Sequence, residues 1–169
     1  QDQLCSAFGG INYIEMYQYP HASVSQLHIP NATSWELERR LALVFLGKSH
    51  SSSDVHETVI ADLEGAAPDN VKLEDLRLTA AKSRDAVYAS DLAALGRAMI
   101  ENTEAQARLH PDLVSAEGHQ VIELAQAHGA LGCKVNGAGG DGGSLTLLVG
   151  AESDQKRALV SALEVTNPL

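Results

Sequence analysis

Basic side chains are scarce in this chain of 169 residues: 12 Lys and Arg stand against 22 Asp and Glu, a formal net charge of −10. Nucleic-acid phosphates are bound by clustered cations, so this balance argues against a nucleic-acid partner. One small phosphorylated ligand stays compatible, because a local set of backbone N–H donors holds an anion even on an acidic protein. Cysteine is scarcer still. Cys5 and Cys133 lie far apart in no metal-like spacing, which speaks against a disulfide framework and for a reducing compartment. No apolar run approaches the ~18 residues of a membrane span, and no basic segment leads into a signal-peptide stretch. A cytoplasmic protein without a membrane partner is expected. The histidines (His21, His28, His50, His56, His110, His119 and His128) are scattered and lack the spacing of a metal pair on one face.

What is present suits one ordinary domain. Hydrophobic residues make up 44% of the chain, and its length allows a core without staples. Ile11 to Tyr19 and Ser23 to Ile29 alternate around the Pro20-His21 break, which predicts an antiparallel hairpin. Trp35 to Arg40 predicts one helical turn with Ser34 as N-cap. Arg40 to Gly47, "RLALVFLG", reads as a central strand buried on both faces. A Ser-rich stretch then opens a helix that ends at Gly65. Three more helices are predicted: Val71 to about Arg84, Ala86 to Leu109, and Asp112 to about His128, closed by Gly129. The chain ends on two short strands around a glycine loop and a last helix. Strands and helices grouped in this way predict an α+β fold, a two-layer sandwich with an antiparallel sheet and helices on one face.

The glycine loop lies in "KVNGAGGDGGSLTLLVG". Its letters satisfy G-x-G-x-x-G, yet a strand follows instead of the helix that a dinucleotide site needs. No Lys-Ser/Thr pair follows, which excludes a Walker loop. A two-residue turn would reverse the chain. A run this rich in glycine loses ~0.5–1 kcal/mol of backbone entropy per residue where order is imposed, so close backbone approach to a ligand is the reading favoured over a plain turn.

Three segments, in order, carry a family resemblance. "GALGCKVNGAGGDGGSLTLL" resembles the C-terminal glycine motif of the GHMP kinases (galactokinase, homoserine kinase, mevalonate kinase, phosphomevalonate kinase). "QDQLCSAFGGIN" is similar to the Gly-x-x-Asp-Gln segment of sugar kinases in that family and to the Phe-Gly-Gly-Ile-Asn of heptose-phosphate kinases. "LALVFLGKSHSSSDVHETVI" is similar to the strand and Ser-rich helix start of the same subgroup. Asp141 interrupts the usual four glycines and would repel phosphate unless a cation offsets it. Such a loop closes over the sugar or shapes the back wall of the phosphate site.

The resemblance implies the ferredoxin-like C-terminal domain of an ATP-dependent kinase for a sugar or sugar phosphate (heptose phosphate, fucose or a related hexose). It implies that Asp2 orients or accepts the proton of the attacking hydroxyl. Gly137, Ala138, Gly139, Gly140, Asp141, Gly142 and Gly143 would form the phosphate, nucleotide or substrate loop, and Lys48, Ser49 and His50 possible substrate contacts. The family's Pro-x-x-x-Gly-Leu-Gly-Ser-Ser-Ala loop and its Mg²⁺ ligands are not found in residues 1–169. The chain is therefore expected to be one domain whose partner is its own N-terminal ATP-binding lobe. Without that lobe it would be inactive and would hold neither ATP nor Mg²⁺ tightly. The sheet's open face would be covered by that lobe or by a second copy in a homodimer. Lys134 reads either as a strand-edge lysine or as the cation that offsets Asp141 or phosphate, Cys5 as a packing residue, and residues 101–104 as a solvated helix face. A stand-alone metabolite-binding or regulatory domain of ferredoxin-like type stays open as an alternative.

Overall fold

The computed structural model describes residues 2–18, 20–47, 59–61, 71–137, 139–140, 142–152 and 154–166. A short helix, α1 (Asp2–Phe8), leads into the hairpin of β1 (Ile11–Gln18) and β2 (His21–Leu27), which pair antiparallel with an irregularity between Met16 and Gln18. The alternating pattern gives the hairpin but not a core face, since Leu27 is its only buried residue among those described. The Arg84 guanidinium lies 4.6 Å from the centre of the Tyr13 ring, a cation–π contact that links the hairpin to the helix carrying Arg84.

Helix α2 (Asn31–Arg40) starts earlier than predicted. Pro30, not Ser34, stands at the N-cap, and its carbonyl accepts from Ser34 N–H at 3.1 Å. Strand β3 (Leu41–Phe45) follows without a loop. After it come α3 (Val71–Tyr88) and α4 (Leu92–Leu109). They are split at Asp91, whose carboxylate accepts from Ala94 N–H, rather than near Ala86; Asp is among the strongest N-cap residues, which sets the boundary. A 3₁₀ turn (Pro111–Leu113) precedes α5 (Ala116–Ala127), which Ser115 caps, so this helix starts later than Asp112. Gly129 closes it at φ +76°, as expected. Strands β4 (Gly132–Val135) and β5 (Ser144–Leu148) and helix α6 (Gln155–Thr166) complete the order.

The α+β class holds, and among the described residues the strands pair antiparallel in two sheets: β1-β2, and a three-stranded sheet in the order β3-β5-β4. Among the described residues the apolar run at β3 is consequently an edge strand and not a central one. Leu43 is 72% exposed and Phe45 51%, while Ala42 and Val44 turn inward. Continuous apolar patterning misled here because one side of β3 is open. The predicted two layers with helices on one face do not hold, because helices meet both faces of β5. Leu145 and Leu147 join Val121, Ala125 and Leu159 of α5 and α6 in one cluster, whereas Leu148 joins Leu37, Leu92 and Met99 of α2 and α4.

One contact sets the distance between α4 and β4. A Cβ on Gly96 would lie 2.3 Å from the Leu131 carbonyl oxygen, and a Cβ on Gly132 would lie 2.5 Å from Gly96 Cα. Only glycine fits at this crossing. Gly132→Ala is expected to destabilise the fold by about 1–3 kcal/mol through forced separation. Gly118→Ala meets nothing closer than 3.5 Å and should be neutral or stabilising by up to ~1 kcal/mol from helix propensity. Urea denaturation of both variants checks the contrast.

Candidate functional site

The glycine loop joins two adjacent antiparallel strands, and three polar side chains hold its neck. Asn136 N–H donates to the Ser144 carbonyl at 2.9 Å, Asn136 Nδ2 donates to Ser144 Oγ at 3.1 Å, and Thr146 Oγ1 donates to Asn136 Oδ1 at 3.0 Å. Gly137, Gly139, Gly140, Gly142 and Gly143 all have positive φ, so an L side chain at these positions would be strained. Part of the glycine requirement is internal. A Cβ on Gly139 would fall 1.8 Å from the Leu113 carbonyl oxygen, so the loop is pressed against the 3₁₀ turn. Gly142 N–H donates to the Gly140 carbonyl at 2.9 Å, and the Gly143 carbonyl accepts from Leu46 N–H at 2.9 Å. Gly139, Gly140 and Gly142 are buried, and Gly137 is exposed.

Helix α4 supplies the polar support that the sequence reading missed. The ladder leaves Cys133 and Val135 with backbone groups facing the edge of β4. Thr103, 7% exposed, closes that edge with one hydroxyl: Oγ1 donates to the Cys133 carbonyl at 3.1 Å and accepts from Val135 N–H at 3.1 Å. Residues 101–104 are thus not uniformly a solvated face, although Glu104 is exposed. One turn on, Gln106 Nε2 donates to the Gly137 carbonyl at 2.9 Å, and Gln106 Oε1 accepts from Lys134 Nζ at 2.8 Å. Lys134 Nζ also donates to the Val135 carbonyl. The signal for these roles was small: a glycine inside α4 marks close backbone approach, and Thr103 and Gln106 follow on the same side of the helix.

Burial pushes the Lys134 ammonium down to about 8 from its ordinary 10.5, and the buried Cys133 thiol up to about 11. Cys133 is therefore a protonated core residue and no nucleophile at neutral pH. Cys5 is exposed instead of packed. Asp2 stands exposed in the first turn of α1. The end of that helix is tied to the hairpin, where Gln26 Nε2 donates to the carbonyls of Phe8 and Gly9, each at 3.2 Å. Ala138, Asp141, Lys48, Ser49 and His50 lie outside the described residues. Among the described residues no group of three or more His, Cys, Asp or Glu could hold a metal ion, and no helix is long and apolar enough to cross a membrane. His110 Nδ1 accepts from Asp112 N–H at 3.2 Å, and His128 Nδ1 lies 2.8 Å from the Leu124 carbonyl oxygen, both local backbone contacts. A groove of about 920 Å³ runs elsewhere, between β3, α5 and α6. Ala42, Val121 and Leu163 lie along it, with Glu117, Glu123 and Glu164 at its polar positions.

No protein-family model matches the chain. By sequence it is 28% identical over 145 residues to the D-glycero-alpha-D-manno-heptose 7-phosphate kinase of Campylobacter jejuni, across 84% of this chain and 42% of that protein. In structure it is similar to L. major mevalonate kinase in complex with R-mevalonate (TM-score 0.79, 23% identity, 99% of this chain and 48% of that one). It is also similar to a D-glycero-D-manno-heptose 1-phosphate kinase from Bacteriodes thetaiotaomicron (TM-score 0.62, 23% identity, 96% and 41%). The chain spans less than half the length of these proteins. The resemblance to the GHMP kinases, and within them to the heptose-phosphate kinases, read from three segments, therefore extends over nearly the whole chain in sequence and in fold.

The Lys134 shift gives a pH signature. Its folded pKa lies below the unfolded one, so the charged form is disfavoured in the fold; the penalty is full below pH 8 and is relieved as pH rises toward 10.5. From pH 7 to 9, mostly below the Cys133 window, the wild-type chain should gain about 1 kcal/mol relative to Lys134→Met. Parallel stability curves for the two proteins would contradict a buried ammonium.

Proposed function

We propose that this chain is the C-terminal domain of an ATP-dependent GHMP-family kinase that transfers a γ-phosphoryl group to a sugar or sugar phosphate, with heptose phosphates the first class to test. The observation that carries this reading is the glycine run held between β4 and β5 in a chain related, over 84% of its length, to a heptose 7-phosphate kinase. N-terminal to it would stand the ATP-binding lobe, and the site would form between the two. ATP supplies the phosphoryl group, and Mg²⁺ neutralises charge as it moves.

The residues present suit one side of such a site. Positive-φ glycines are the kind of backbone that anion-binding nests are built from. Among the described residues the N–H groups of Gly140 and Gly143 carry no hydrogen bond. Lys134, behind the loop, is a cation that could offset Asp141 or an incoming phosphate. In this reading the Mg²⁺ ligands come from the other lobe. Asp2, exposed on α1, is the carboxylate assigned to the attacking hydroxyl, where it would orient it and take its proton. A domain carrying one side of the site does not turn over alone.

The test is ADP release from the full-length protein against a panel of heptose phosphates, fucose and hexoses, beside residues 1–169 alone. Full-length protein is expected to phosphorylate a member of the panel, and the isolated chain none. Asp2→Asn in the full-length protein should lower kcat by roughly 10²–10⁴-fold with unchanged thermal stability. Near-normal turnover in Asp2→Asn removes the role of Asp2. Tight binding of one metabolite by the isolated chain, with no transfer by the whole protein, favours a regulatory domain instead.

A further inference from the structure

Gln106 is an unusual residue to find 8% exposed near the end of a helix. A buried amide left without partners would be costly, and a leucine would fill the space at less risk. Here both ends of the amide are spent on the approach to the glycine loop. Nε2 donates to Gly137, the first loop glycine, and Oε1 accepts from Lys134. Lys134 in turn donates to the Val135 carbonyl, and Thr103, one turn earlier on α4, holds Cys133 and Val135. Helix α4 thus engages the chain at residues 133, 134, 135 and 137 in succession. The opposite side of the neck is held separately, by Asn136, Ser144 and Thr146. Gly137 itself has no neighbour within 4 Å of its Cβ direction. The Gln106 bond holds the carbonyl of this exposed residue.

We propose that Gln106 is a positioning residue for the glycine loop: its amide fixes the Gly137 carbonyl, and with it the loop conformation that meets the ligand. This rests on the glycine loop being the ligand loop of the kinase proposed above. Removing the donor while keeping the acceptor separates positioning from stability. Gln106→Glu retains an oxygen for Lys134, as an ion pair, and loses the N–H that holds Gly137. Gln106→Met removes both.

The experiment uses the full-length protein with ATP and the sugar phosphate that it turns over. Amide hydrogen exchange is followed at Gly139 and Gly142, whose N–H groups are bonded inside the loop, with β5 as internal reference. Gln106→Glu should speed exchange at these two amides at least tenfold relative to β5 and raise KM for ATP at least tenfold. Its kcat should stay within threefold of wild type, and the protein should remain folded at the assay temperature. Gln106→Met should show the same loop release, and serves as the readout if the glutamate variant does not fold. Unchanged loop exchange with an unchanged KM in a folded variant overturns the proposal, as does a loss of stability with the loop still protected. If the wild-type protein transfers no phosphoryl group, the function proposed above falls, and the exchange comparison decides the role of Gln106 by itself.

Discussion

The crossing of α4 over β4 at Gly96 and Gly132 is the constraint from which the rest of the arrangement follows. Helices ordinarily pack with axes 8–10 Å apart, at distances set by the side chains between them. With no side chain at either position, helix and strand backbones come into direct contact. That approach lets the short Thr103 side chain reach the edge of β4 and gives Gln106 the reach to the first residue of the loop. Larger residues at 96 and 132 would move the helix outward and withdraw both. The glycines that matter most to the loop's placement are therefore not in the loop.

Edges are the second constraint, because a strand at the margin of a small sheet presents unpaired N–H and C=O groups. Thr103 and Lys134 close the edge of β4. On the far edge Lys156 Nζ donates to the Leu41 carbonyl at 2.6 Å, while Leu43 and Phe45 stay exposed. Trp35 and Tyr17 are also largely exposed, and β1-β2 is a two-stranded sheet with little buried side chain, a form that is marginal by itself in water. Surface of this kind is what a covering lobe would bury.

Much of the architecture was legible in the sequence. The hairpin followed from the alternation on either side of Pro20-His21, the last two strands from short apolar runs around the glycines, and the end of α5 from Gly129. Boundaries failed where a capping residue outranked the apolar period: Asp91 and Ser115 reset the starts of α4 and α5. The reading of "RLALVFLG" failed for a different reason, since an edge strand with an open face carries the same letters as a central one. The β-loop-β setting of the glycines was read correctly from the chain. Its supports were not, because Thr103 and Gln106 look like ordinary polar helix residues until Gly96 brings the helix down onto β4. Nothing in the spacing of residues 103 and 134 along the chain reveals that they share a strand edge.

What emerges is a glycine run whose described ends are held by α4 and the 3₁₀ turn, in a chain with the fold of kinases and a heptose-phosphate kinase as relative. The most direct measurement is amide hydrogen exchange of the full-length protein with and without a non-hydrolysable ATP analogue and heptose 7-phosphate together. The account predicts that ligand-induced protection in this half of the protein centres on residues 137–143 and the first turn of α1. Protection confined to the groove between β3, α5 and α6, with the glycine loop unchanged, would contradict it.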